Sequence, residues 1–466
     1  MPLLGTRGVA SARGYGLFGR IPGDPFFSST TLLLPGNGTN GAQNNTFLDS
    51  STNNFTITRN GNTTQGTFSP FPPASGTAYS AAANGGSGYF DGSGDYLGVA
   101  DSAALDLDTT FTLESWFYQP TAGDGTIFAR GGGAASWSAV NGHEYQAIVF
   151  SGLFYWQFNS GGGVVSITAT APAAGAWHHF AVGYNGTTTR VWLNGASVGT
   201  STAAYTLPTT RNLTRVGYAA SSEAIFTGYI SGLRVVKGTD VYGVGNTSIT
   251  VPTAPLTAIT NTSLLLNFTN AGIFDATAKN DLETVGNAQI STAQSKWGGA
   301  SIAFDGTGDY LSSQNVLTAN FGSGPFTAEL WIYFNNASGT QYALSNYQNS
   351  SIGWGLGISS GNFAFWATGD TPDISTSTPA ATGTWYHLAV SGQSGAIRLF
   401  LNGTQIGSTF TGTPSLDSTL PLRVGDGQGA ASPLPLNGYI DDLRITKGVA
   451  RYTASFTAPT AAFPLY

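Results

Sequence analysis

Residues Phe90–Leu97 read FDGSGDYL, and residues Phe304–Leu311 read FDGTGDYL. An octapeptide that returns with one change marks an internal repeat, and the blocks around it extend the match in both directions. Upstream, TTLLL at Thr30–Leu34 returns as TSLLL at Thr262–Leu266. Downstream, FTLESWFY at Phe111–Tyr118 returns as FTAELWIY at Phe326–Tyr333, and WHHFAV at Trp177–Val182 returns as WYHLAV at Trp385–Val390. The run GYISGLRVVKGTDVY at Gly228–Tyr242 returns as GYIDDLRITKGVARY at Gly438–Tyr452. The order is the same in both halves, so the chain is a tandem duplication. Spacing drifts only where Gly, Asn, Ser and Pro cluster, which is where loops tolerate insertion. This divides the chain into an N-terminal arm (1–25), a first domain (26–258) and a second domain (259–466), with the boundary near Ala258 after the polar stretch Pro252–Pro255.

Within each copy, short runs alternate with period two and are separated by Gly, Asn or Pro turns, the pattern of an all-β sandwich. In FTLESWFY, residues Phe111, Leu113 and Phe117 share one face, while Glu114, Trp116 and Tyr118 share the other. The runs RVWLNG and RLFLNG each lead a strand into an Asn-Gly turn, a strong hairpin signal because both residues accept positive φ. Composition agrees. Only 9% of the 466 residues are charged, against 12% aromatic and 64 glycines, so polarity comes from Thr, Ser, Asn and Gly, which suit strands and turns. This length suits two cores better than one.

A net charge of −7 offers no basic surface for phosphate neutralisation, which argues against nucleic acid and anionic membranes as partners. With no cysteine, the chain has neither disulfides nor thiolate metal sites. Arg and Gly interrupt every apolar stretch of Met1–Pro22, which therefore lacks the apolar core of a signal peptide, and no segment has the ~18 apolar residues of a membrane span.

The ordered set FDGxGDYL, FTxExW, WxHxAV, LNG and GYIxxLRxxKGxxxY resembles the laminin-G-like branch of the concanavalin A superfamily, over Phe26–Tyr466. The resemblance implies two tandem concanavalin A-like (laminin-G-like) antiparallel β-sandwich jelly rolls that act as binding or spacer modules. The resemblance extends to bacteriophage members, through the Thr/Ser/Gly-rich strands, the closing LRITKGVARYTASFTAPTAAFPLY, and SARGYG at Ser11–Gly16, which resembles segments of marine phage tail proteins. This implies a virion surface protein, a tail fibre or tail-associated protein that attaches to a host-surface glycan or receptor. The arm would dock to other virion proteins, and homo-oligomers fit such a role. The competing expectations are a capsid decoration protein and an extracellular bacterial carbohydrate-binding adhesin.

Some relatives on this fold are glycosidases, which place two carboxyls about 5–5.5 Å apart for retaining hydrolysis. The equivalent face here carries Thr112, Glu114, Trp116 and Tyr118, or Thr327, Glu329, Trp331 and Tyr333, so one carboxylate stands among aromatics and no catalytic residue is expected. Glu114 and Glu329 read as hydrogen-bonded or surface glutamates, with a sugar contact beside Trp116, Tyr118, Trp331 and Tyr333 as the functional alternative. His179 and His387, in the repeated WxHxAV strand, read as structural. Asp91 and Asp95, and Asp305 and Asp309, flank Gly-containing turns, where they either bond backbone N–H groups or hold Ca²⁺. Laminin-G-like relatives often hold calcium. Asp441 and Asp442 replace Ser231 and Gly232 of the first copy, so the second domain is the better calcium candidate.

Overall fold

The computed structural model describes residues 23–131, 143–161, 163–207, 213–219, 224–313, 318, 320–349, 352–369, 371–415, 420–427 and 433–466. The expected docking arm, with its SARGYG segment, lies outside the described residues up to Pro22. The described residues form four antiparallel sheets, with a single short α-helix at Ala81–Asn84. None of their helices is long and apolar enough to cross a membrane. The expected pair of antiparallel β-sandwiches is thus what the chain forms.

In the first sandwich, one sheet centres on Trp177–Tyr184, Phe111–Tyr118 and Thr227–Lys237, and faces a sheet built around Leu153–Asn159, His143–Phe150 and Gly125–Gly131. The second repeats this with Trp385–Gln393, Phe326–Phe334 and Asn437–Lys447 against Gln341–Asn349, Ile352–Ser359 and Asn362–Trp366. Strand alternation sets the cores. Phe111, Leu113 and Phe117 are buried with Trp156 and Phe180 in the first, and Phe326, Ala328, Leu330 and Ile332 with Trp354 in the second. The Asn-Gly hairpins form as read: Asn194 and Gly195 have φ of 50° and 85°, and Asn402 and Gly403 have 50° and 82°.

Two strands cross the boundary between the copies. The break near Ala258 separates the repeats in sequence but does not separate the sandwiches in space. Thr30–Leu34, from the first copy, pairs antiparallel with the closing strand Asn437–Lys447 of the second. Thr262–Leu266, from the second copy, pairs with Thr227–Lys237 of the first. Leu32 and Leu34 sit in the second core, and Leu264 and Leu266 in the first. Two nearly identical LLL strands suit either groove equally, so the pattern alone could not say which copy fills which.

The connectors cross at a polar seam between the halves. Asn44 is fully buried there, donating through Nδ2 to the Ile273 and Leu282 carbonyls at 2.7 and 3.0 Å and accepting Ile273 N–H through Oδ1 at 2.8 Å. Asp281 of the second copy is also fully buried, accepting Phe68 N–H at 2.9 Å and facing Ser87 Oγ at 2.9 Å, both in the first copy. Burial pushes the Asp281 carboxyl up to about 8.

Candidate functional site

Both halves carry the same buried ionic cluster on the sheet face away from the core. Glu114 accepts from Arg234 Nε at 3.0 Å and Nη2 at 2.6 Å, from Tyr242 Oη at 2.6 Å, and lies 3.2 Å from His179 Nε2. Glu329 repeats this with Arg444 at 3.0 and 2.7 Å, Tyr452 at 2.7 Å and His387 at 3.2 Å. Burial alone would raise the Glu329 carboxyl. The Arg444 charge and the bonds from His387 and Tyr452 outweigh it and hold the group at about 2.

The segment after each closing strand covers this face. Thr257 O accepts from Arg234 Nη1 at 2.9 Å, while in the second half the Phe463 ring lies 3.9 Å from the Arg444 guanidinium and Asp24 bonds Arg444 and Arg451. Of the two readings of Glu114 and Glu329, the structure shows hydrogen-bonded glutamates and not surface ones or open sugar contacts: both are 0% exposed and every carboxylate oxygen is taken. Trp116, Tyr118 and Tyr333 stay half-buried, and Trp331 is buried. His179 and His387 are buried within the sheet and meet those carboxylates through Nε2, while each Nδ1 is buried without a partner. What the period-two pattern missed was Arg234 and Arg444. They reach the glutamate only because the closing strand shifts register, between Ser231 and Arg234 in the first half. That bulge places Gly232 at φ 54° and Asp442 at φ 52°.

The aspartates of the FDG turns accept amides of their own turns and of a neighbouring turn. Asp95 accepts Asn62 N–H at 2.8 Å and Asp91 N–H at 3.0 Å, while Asp91 accepts Ser93 N–H at 2.6 Å. Asp309 and Asp305 repeat the set with Asn287, Asp305 and Thr307 amides. Asp441 and Asp442 differ. Asp441 Oδ2 accepts the Lys296 and Trp297 amides at 2.7 and 2.9 Å, and Asp442 Oδ2 accepts Phe463 N–H at 2.6 Å. Their Oδ1 atoms are buried without a partner. Burial raises Asp441 to about 6 and Asp442 to about 8. Among the described residues, no cluster of three or more His, Asp or Glu side chains is arranged to hold a metal. Two unpartnered carboxylate oxygens nonetheless suit a hard cation in their chemistry.

A cleft of about 1010 Å³ opens between the two halves. Phe68, Pro70 and Trp177 of the first sandwich form one side, and Asp24, Phe27 and Lys279 the other. Phe68 packs against Trp177 with ring centroids 5.2 Å apart, and both contact Tyr118. Trp177 Nε1 has no partner. None of the residues expected to bind ligand lines this cleft; Tyr118 packs against Phe68 and Trp177, which do. Trp177 was visible in sequence only as a motif letter. Phe68 belongs to the stretch Phe68–Pro73, FSPFPP, an insertion absent from the second copy and the one local signal that the halves differ here.

Comparison with known proteins fits this architecture. The Laminin_G_3 family model, described as the concanavalin A-like lectin/glucanases superfamily, matches residues 90–239 and 305–451. The chain belongs to this superfamily. No curated protein matches this superfamily member. Solved structures similar to it include domain 4 of AbnA, an extracellular GH43 arabinanase from Geobacillus stearothermophilus, in complex with arabinotriose, at 22% identity and TM-score 0.32, covering 38% of this chain and 87% of that one. Mouse laminin alpha1 domains LG4-5 align at 14% identity and TM-score 0.29, covering 84% and 97%. The Ruminococcus gnavus IT-sialidase CBM40 bound to alpha2,3 sialyllactose aligns at 12% identity and TM-score 0.27, covering 33% and 90%.

Proposed function

We propose that this concanavalin A-like protein is a non-enzymatic binding protein that recognises host-surface glycans in the cleft between its halves, displayed on a bacteriophage virion as a tail fibre or tail-associated protein. The cleft carries the reading. Sugars bind through stacking on aromatic faces with a few polar groups to orient them, and Phe68 and Trp177 supply that surface beside the Ser69, Thr77 and Lys279 rim. The non-enzymatic part rests on Glu114 and Glu329, the acids on the face where hydrolytic relatives carry theirs, being capped by the chain's own donors. The virion part rests on the sequence resemblance and on the cysteine-free, Thr/Ser/Gly-rich composition. Asp441 and Asp442 are the residues that would hold a calcium ion, whose charge would offset two buried carboxylates.

The test is glycan-array binding of the whole chain and of Trp177→Ala, with thermal unfolding to confirm that the variant folds. Array signal that falls about tenfold or more in the variant supports the reading. No signal from the parent, or full signal from a folded variant, overturns it. Immunogold labelling then locates the chain: label on the tail supports the fibre, label over the head means capsid decoration, and no label on particles favours the adhesin.

A further inference from the structure

We propose that the two LLL strands form a reciprocal clasp, by which the two sandwiches become one cooperative unit and the walls of the cleft are held in fixed register. Each half builds a groove and an anchoring carboxylate from its own copy and receives the strand of the other. In the second half, Asp275 accepts Leu33 N–H at 3.0 Å and Ala276 N–H donates to Leu33 O at 2.8 Å. In the first half, Asp49 accepts Leu265 N–H at 2.9 Å and Ser50 N–H donates to Leu265 O at 2.8 Å. Asp49 and Asp275 occupy matching places in FLDSST and IFDATA, so the two anchors are the same device used twice.

The exchanged strands are integral to the cores they enter. Leu32 and Leu34 are 0% exposed in the second core, and Leu264 and Leu266 are 0% and 1% exposed in the first. Pulling one half away would strip a strand from its partner's sheet and three leucines from apolar surroundings. The first connector also bonds to the second copy: Gly41 N–H donates to Ile290 O at 2.8 Å and Ile290 N–H to Ala42 O at 3.0 Å, in the strand Gln289–Ser291, and where the connectors cross Gly272 N–H donates to Gln43 O at 3.2 Å. Residues close to the clasp line the cleft. Lys279, on its rim, donates through Nζ to the carbonyl of Thr30, the first residue of the exchanged strand, at 2.6 Å. Separate sandwiches on a linker would vary the cleft width freely; clasped ones do not.

The clasp predicts that damage crosses from one copy to the other. Leu32→Ala, in the first repeat, should accelerate amide hydrogen exchange about tenfold or more in Asn437–Lys447 of the second, and Leu264→Ala should do the same in Thr227–Lys237. Exchange that rises instead in the strand of the same copy, or a parent chain that melts in two independent transitions, overturns the proposal. A second measurement does not depend on those variants folding. The chain has no cysteine, and Thr30 lies opposite Thr446 while Val236 lies opposite Thr262. Under mild oxidation, Thr30→Cys with Thr446→Cys should cross-link within one chain, and Thr30→Cys with Val236→Cys should not. The reverse result, or cross-links found only between chains, overturns it equally.

Discussion

Asp281→Asn tests the buried acid at the seam. Asp281 is enclosed by Phe68, Ser87 and Gly66 of the other copy, with no cation among its hydrogen-bond partners. Burial moves its pKa from the ordinary 3.8 to about 8. The folded chain therefore keeps a proton that the unfolded chain releases above pH 3.8. Stability from this group is complete below that pH, declines as pH rises through the interval, and levels off above about 8. At about 1.4 kcal/mol per unit, the loss between pH 5 and pH 8 is roughly 3–4 kcal/mol. Asparagine keeps the geometry: its Oδ1 accepts Phe68 N–H, and its Nδ2 donates to Ser87 Oγ, whose own hydrogen goes to Phe68 O. Asp442, Asp441 and Asp95 are raised in the same direction and Glu329 in the opposite one, so the parent's curve alone mixes several groups. The difference between parent and Asp281→Asn isolates one. Urea denaturation followed by tryptophan fluorescence from pH 5 to pH 8 should show the variant gaining on the parent at every step. Two curves a constant distance apart would refute the reasoning.

Glu329→Gln leaves the buried Arg444 without its carboxylate and should cost about 3–5 kcal/mol in urea denaturation; an unchanged midpoint would mean that Asp24 alone balances that arginine. Tyr205→Phe removes the hydroxyl that accepts Trp156 Nε1–H at 2.8 Å and should cost about 1–3 kcal/mol by stranding a buried donor, read from the same titration. Calcium at about a hundred times its dissociation constant should stabilise the parent by about 2.7 kcal/mol in a thermal melt, and Asp441→Ala with Asp442→Ala should abolish the gain. A parent that does not respond to calcium removes the metal site.

The repeat, the strands and the core-facing side of Phe111–Tyr118 could all be read from period-two alternation, because side-chain direction in a strand follows from pleat geometry. The Asn-Gly hairpins were readable for a local reason too, since positive φ at both residues is a property of the dipeptide. What covers the other face was not readable. Arg234 and Tyr242 stand inside a block plainly repeated in sequence, yet a bulge at Gly232 resets the alternation that would have assigned Arg234 its side. The exchange was hidden by the likeness of the two strands: TTLLL and TSLLL offer the same leucines to the matching closing strands Asn437–Lys447 and Thr227–Lys237. The cleft brings Phe68 and Trp177 together with Lys279, which no spacing rule connects.

The crossing of the strands also bears on how the chain emerges from a ribosome. Thr30–Leu34 leaves the tunnel early, while its partner, Leu443–Thr446, comes some four hundred residues later. At about 5–20 residues per second, its leucines must wait roughly 20–80 seconds for a sheet to join, while the first copy's own groove forms beside them much sooner. Thr262–Leu266 is made shortly after that groove and meets it almost at once. Synthesis from N to C terminus thus favours a premature match within the first copy, and reaching the crossed arrangement means either holding Leu32–Leu34 back or letting go of that early partner.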